Sequence, residues 1–246
     1  MINIFYKNKY MKTLRKLSFF VLTGLVGATT CCAQTADDVV AKYLQAIGGK
    51  DVIAGTKSLV MTSNVEVMGN DLPSTTTILN GKGFRSETDF QGNKIIQCVN
   101  NHGAWSLNPP AGQSSPTPLS DADARQAKSQ LNIVPLASYA DNGGKLELLG
   151  KDTADYKVKF SNADGVKITY FINMKTYLLD KVIATVNVQG QETDVTVLFS
   201  DYRKADNGLL TPFKIERDLP QYTLNISITK VDVNKDIDPA IFEMPK

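Results

Sequence analysis

Histidine is nearly missing from this chain of 246 residues: His102 is the only one. A single imidazole rules out a histidine-based metal cluster. A Ser–His–Asp site would have to form around His102, which falls in the turn Asn100-Asn101-His102-Gly103, remote from any nucleophile motif. The serine elbow and the glycine-rich phosphate loop are absent as well. Cysteine is scarce. Cys31 and Cys32 are adjacent near the start, and Cys98 reads as a buried, inert thiol beside Val99. Acidic residues are numerous but scattered. Asp37-Asp38 and the pair Asp121 and Asp123 fall at predicted helix N-termini, where carboxylates complement the macrodipole. The Asp-Asn-Gly and Asn-Ala-Asp-Gly stretches are turn chemistry without the ligand spacing of a calcium loop. These gaps predict a protein that is not an enzyme and holds no cofactor and no metal.

A membrane-spanning apolar run is also lacking. Leu17 to Ala28 supplies 12 residues, whereas a bilayer-spanning helix needs about 20. With Lys12, Arg15 and Lys16 before it and small residues after it up to Ala33, the stretch reads as a signal peptide over residues 1–33. Residues 1–10 add nothing a signal needs, so Met11 is an alternative start. Two readings of its end stand. Cleavage between Ala33 and Gln34 places Cys31 and Ala33 at −3 and −1; alternatively, Cys31 or Cys32 is a lipid-modified N-terminus. Cleavage after Ala33 leaves 213 residues, 22 basic and 25 acidic, with a net charge of −3. Such a chain has no basic field for nucleic acid or an anionic membrane surface. With Cys98 its sole cysteine it has no intramolecular disulfide, and stability must come from an ordinary core. One domain over residues 34–246 is expected, as a monomer.

What is present is β pattern. Thr35 opens a short helix with Asp38 at the capping-box position. Val40, Tyr43, Leu44 and Ile47 make one apolar stripe, and Gly48-Gly49 ends it. Lys50 to Thr56 adds a second short helical turn. From Leu59 the period changes to two, with Leu59, Met61, Val65 and Val67 on one face and Thr62, Asn64 and Glu66 on the other. Thr75–Leu79, Phe84–Phe90, Lys94–Val99 and Trp105–Leu107 follow as strands between Gly/Asn turns. Asn108 to Pro118 reads as a Pro/Gly/Ser loop. Ser120 caps a helix over Asp121 to Leu131, a second short helix covers Val134 to Tyr139, and Asn142-Gly143-Gly144 closes this insert. Alternation resumes at Leu146 and continues through Tyr156, Val166, Val182, Val195 and Phe213 to a last strand with Tyr222, Leu224, Ile226 and Ile228. The class is mainly β with helices (α+β), an antiparallel meander of about ten or eleven strands.

The apolar strand faces fit either a filled core or a cavity for an acyl chain. The residues that would line such a cavity are Val65, Val67, Phe84, Phe90, Trp105, Leu107, Tyr170, Ile172, Val182, Val186 and Phe199.

An ordered set of short stretches resembles the bacterial lipoprotein carriers and the wider outer membrane lipoprotein-sorting proteins, the LolA-LolB superfamily. The set comprises Phe84-Arg85, Ile95-Ile96 to Val99-Asn100, Gly103-Ala104-Trp105-Ser106-Leu107-Asn108-Pro109, Phe199-Ser200-Asp201-Tyr202, Pro212-Phe213, and the ending Ile237-Asp238-Pro239-Ala240-Ile241-Phe242-Glu243-Met244-Pro245. The acidic insert at Asp121 to Leu131 falls where that family has one. Where the well-studied carriers place an arginine before the Phe84-like position, this sequence has Leu79-Asn80-Gly81-Lys82-Gly83. The resemblance implies an incomplete β-barrel closed by the N-terminal helix and the insert, whose apolar side receives lipoprotein acyl chains or another apolar lipid. It also implies a periplasmic setting, or an outer-membrane one if Cys31 or Cys32 is acylated. The alternative is an envelope sensor or protein-interaction module on the same scaffold with a filled core.

Overall fold

A computed structural model of the chain describes residues 34–141, 143–188 and 191–245. The predicted signal segment, with Ala33, Cys31 and Cys32, lies outside the described residues, as does Asn142 of the predicted turn.

Thr35 starts α1 (Ala36–Ala46) as its pattern requires. Its hydroxyl accepts from Asp38 N at 3.1 Å, and the Asp38 carboxylate accepts from Thr35 N at 3.0 Å. Gly48, at φ 134°, makes the corner into α2 (Gly49–Gly55), a backbone angle that side chains rarely adopt.

Among the described residues thirteen strands then form one antiparallel sheet, more than the ten or eleven expected. In chain order they are β1 (Ser58–Val67), β2 (Asn70–Leu79), β3 (Gly83–Phe90), β4 (Asn93–Asn100), β5 (Ala104–Asn108), β6 (Gln113–Pro118), β7 (Lys145–Asp152), β8 (Asp155–Ser161), β9 (Lys167–Asn173), β10 (Leu179–Val188), β11 (Gln191–Lys204), β12 (Leu210–Asp218) and β13 (Thr223–Val233). The spatial order is β6-β5-β4-β3-β2-β1-β13-β12-β11-β10-β9-β8-β7. The chain therefore begins in the middle, walks to one edge and crosses to the other. It then walks back until β13 pairs with β1. The seam between β6 and β7 stays open, and the crossing segment is the insert.

Two expectations on that segment need correcting. Gln113–Pro118 is an edge strand rather than loop, with Trp105 opposite Pro118 and Ser106 opposite Thr117. Proline disqualifies a central strand but not an edge, where one side of the backbone has no neighbour to serve. The insert is also less helical than its pattern. α3 covers Asp121–Ala127 and tightens into a 3-10 turn over Lys128–Leu131, while the second helix shrinks to a 3-10 turn at Pro135–Ala137. The Ser129 hydroxyl donates to the Gln126 carbonyl at 2.9 Å and competes with the helical ladder at this point.

The helices lie on one face of the sheet, called here the inner face. There α1 and Leu136 pack on Tyr156, Val158, Phe160, Tyr170 and Ile172. Ala127 and Leu131 pack on Val99 and Ala104 at the other side of the sheet. The outer face is covered at β3 to β5 by the C-terminal segment, whose 3-10 turn Pro239–Phe242 places Phe242 on Ile96, Cys98 and Trp105. Among the described residues no helix is long and apolar enough to cross a membrane.

Candidate ligand-binding face

The insert is laid across the inner face by contacts at both of its ends. Near β2 and β3, Gly81 N donates to Leu131 O at 2.8 Å, and Ile133 N donates to Asn80 Oδ1 at 3.0 Å. On the opposite side, Gln126 Nε2 donates to the Thr185 carbonyl of β10 at 2.7 Å. The Tyr139 hydroxyl donates to the Asp37 carboxylate of α1. The insert is thus a strut between elements that belong to opposite arms of the sheet.

Two gaps remain beneath it. One of about 410 Å³ lies between the 3-10 turns of the insert and Phe160, Ile168 and Tyr170. The second, of about 240 Å³, lies between α3 and the strand residues Gln97, Ile168, Ala184, Val186 and Arg217. Both are lined by Ser129, Val166 and Ile168, so they adjoin. Of these two, the larger falls within the span of about 300–1,000 Å³ usual for small-molecule sites, as does a cleft of about 650 Å³ between α1, α2 and the insert residues Leu136, Ala137 and Tyr139.

Strand alternation and register assign each predicted lining residue to a face. Phe84 opposes Val99 and Ile78, and Val65 opposes Leu72 and Ile226, all on the inner face. Val67 and Phe90 share that face by alternation within β1 and β3. Val182 opposes Tyr170 and Val197, and Phe199 opposes Ile215, again inside. Trp105 and Leu107 do not belong with them. They oppose Cys98 and Ile96 and lie under Phe242 on the outer face. The reason is parity: Ala104 and Ser106 occupy the inward positions of β5, and the two large side chains take the outward ones.

The inward nine divide further. Tyr170, Ile172, Val182 and Phe199 belong to the packed cluster under α1, and Phe84 packs against the cluster under α3. Val65 is buried, while Val67, Phe90 and Val186 are half-buried toward the hairpin tips. Tyr170 and Val186 border the two gaps, one each. Met61, Phe213, Ile215, Leu224 and Ile226 continue the half-buried apolar wall through β1, β12 and β13.

The strand wall of this face is largely apolar, with polar side chains such as Ser63, Ser74, Gln97 and Ser106 at inward positions. The gap of about 410 Å³ is bordered on the insert and loop side by Arg125, Lys128, Asp141 and Asp164. Burial pushes the phenols of Tyr43 and Tyr170 above the ordinary tyrosine value, so both stay neutral. Arg217 brings a positive charge to an inward strand position. It stands on β12 between Val197 and Leu224, its Nε is sealed from solvent, and that atom has no hydrogen-bond partner. Loss of hydration holds its guanidinium below the usual arginine range, with Tyr222 acting in the other direction. Gln97, Val166, Ile168 and Arg217 were not anticipated from sequence. Arg217 did carry a signal: in Phe213-Lys214-Ile215-Glu216-Arg217 it falls in phase with the apolar residues.

His102 and Cys98 take structural places. Asn100 Oδ1 accepts from His102 N and Gly103 N at 2.9 and 3.0 Å, which holds exposed His102 in a tight turn. Cys98 is fully buried, its Sγ donates to Phe242 O at 3.3 Å, and burial pushes its thiol up to about 11.

No protein-family model matches the chain, and neither does any curated protein sequence. Solved structures match it in fold. A LolA superfamily protein from Nitrosomonas europaea is 13% identical, with a TM-score of 0.57 over 86% of this chain and 98% of its own. An outer membrane lipoprotein-sorting protein domain from Vibrio parahaemolyticus is 11% identical, with a TM-score of 0.56 over 84% of this chain and 97% of its own. A DUF1329 family protein from Desulfovibrio piger is 11% identical, with a TM-score of 0.55 over 86% and 98%. The likeness is one of fold: this chain has the LolA-like fold.

Proposed function

We propose that this chain is an exported, non-enzymatic protein of the bacterial periplasm that binds acyl chains on the inner face of its sheet, in the handling or sorting of lipoproteins. The observation that carries this reading is the half-buried apolar wall of β1, β12 and β13, next to adjoining gaps of about 410 and 240 Å³ beneath a strut-like insert. The wall is apolar and half-buried, and each methylene buried against it would be worth about 0.8 kcal/mol. The fold shared with a lipoprotein-sorting domain supports the same reading.

Native mass spectrometry of protein purified from its host is the test. Co-purified lipid, together with saturable binding of a fluorescent fatty acid, is expected. Protein that emerges without lipid and binds no fatty acid overturns the proposal.

A second reading, an envelope sensor with a filled core, draws on the packing of Tyr170, Ile172, Val182 and Phe199 against α1. It requires a protein partner recovered by crosslinking from the envelope, and no saturable acyl binding.

A further inference from the structure

We propose that Arg217 is the receptor for an anionic head group, so that the gap beneath α3 takes an amphiphile whose acyl chain ends in a carboxylate or phosphate. This rests on the acyl-binding reading above and narrows it to a class of ligand.

Period-two alternation puts Arg217 inward, among apolar residues, although Lys214 and Glu216 on the same strand point outward to water. An inward guanidinium is costly, because an arginine cannot escape by losing its proton, and buried charges are normally paired or fully hydrogen-bonded. Here no ion pair or hydrogen bond to Arg217 is found among the described residues, and its Nε is sealed without a partner.

The charged neighbours at this gap are otherwise engaged. Asp123 accepts from the Ser120 hydroxyl at 2.7 Å, and Lys167 lies 3.6 Å from Glu192. Gln126 is turned to the Thr185 carbonyl. The planar fork of an arginine matches the two oxygens of a carboxylate or the edge of a phosphate. The half-buried apolar wall of β1, β12 and β13 offers the acyl chain a place to lie. An anion seated here supplies the charge the fold withholds, while a neutral acyl ester leaves the guanidinium unpaired.

Displacement of a fluorescent probe by dodecanoate, methyl dodecanoate and dodecyl phosphate, each below its micelle concentration, tests this on the wild type, Arg217→Met and Arg217→Lys. The wild type is expected to prefer the anions over the ester by tenfold or more. Arg217→Met should bring that preference near unity, and Arg217→Lys should fall between the two. Whichever of the two anions binds tighter assigns the head group. Because Arg217→Met removes an unpaired charge, the ligand-free variant should melt at or above the wild-type temperature; a lower melting temperature reveals a partner within the protein and overturns the assignment. Equal binding of acid and ester by the wild type, or a preference that survives Arg217→Met, also overturns it while leaving acyl binding intact. Binding of neither acid nor ester would refute the underlying reading itself.

Discussion

Phe242→Ala probes the least expected part of the fold, the C-terminal segment clamped on the outer face. Phe242 is 1% exposed, and its carbonyl accepts from Cys98 Sγ at 3.3 Å and from Asn100 Nδ2 and Trp105 Nε1 at 3.1 Å each. Arg85 Nη1 adds a bond to the neighbouring Ile241 carbonyl at 3.0 Å. Truncating a buried phenylalanine costs about 3–5 kcal/mol, against a total domain stability of about 5–15 kcal/mol. For a domain of this size that lowers Tm by roughly 6–20 °C. The chain has a single tryptophan, Trp105, and it is 4% exposed under this segment. Its emission therefore reports the site directly, and Phe242→Ala should shift it to the red. Gly83 supplies a control. A Cβ there would lie 2.4 Å from the Phe242 ring, so Gly83→Ala should displace the segment and cost about 1–3 kcal/mol. In the Phe242→Ala background that cost should disappear, since the ring it collides with is gone. Unchanged Trp105 emission in Phe242→Ala, with a Tm within about 2 °C of wild type, would refute the clamp.

Three other outcomes are expected. Thr35→Ala removes the cap of α1 and should cost about 1 kcal/mol, read as a Tm lower by about 2–4 °C. Asn80→Ala removes the acceptor for Ile133 N, so hydrogen exchange at that amide should quicken roughly 2–10-fold while exchange in β8 stays unchanged. Asp155 is held above its ordinary value of 3.8 by burial and by Asp180 beside it, so its protonated form is the one the fold favours. That contribution is complete below the unfolded value and is lost as pH rises through the folded one. Asp155→Asn should therefore raise Tm at pH 7 and lose its advantage at pH 3, as followed by thermal melts across that range.

Period two made most strands readable, because a sheet with one covered face writes its alternation into the sequence. It did not say which face was inward. Trp105 and Leu107 are large and apolar, and without the register against Cys98 and Ile96 they looked like cavity residues. A second apolar cover, supplied by Phe242 from 137 residues further along, gives the outer face its own core. The edge strand Gln113–Pro118 was hidden by its prolines, and the insert by a serine that pulls on the helix from within. Arg217 was legible in phase but not in meaning, since a lone in-phase charge gains significance only when no partner is found around it.

The central claim is that acyl chains lie on the inner face. A photoactivatable fatty acid, crosslinked to the protein and mapped by peptide mass spectrometry, tests it most directly. Labels are expected on β9, β10 and β12, at residues such as Ile168, Val186 and Ile215. Labels concentrated on the outer face around Ile96 and Trp105, or labelling that excess unlabelled fatty acid fails to suppress, would contradict it.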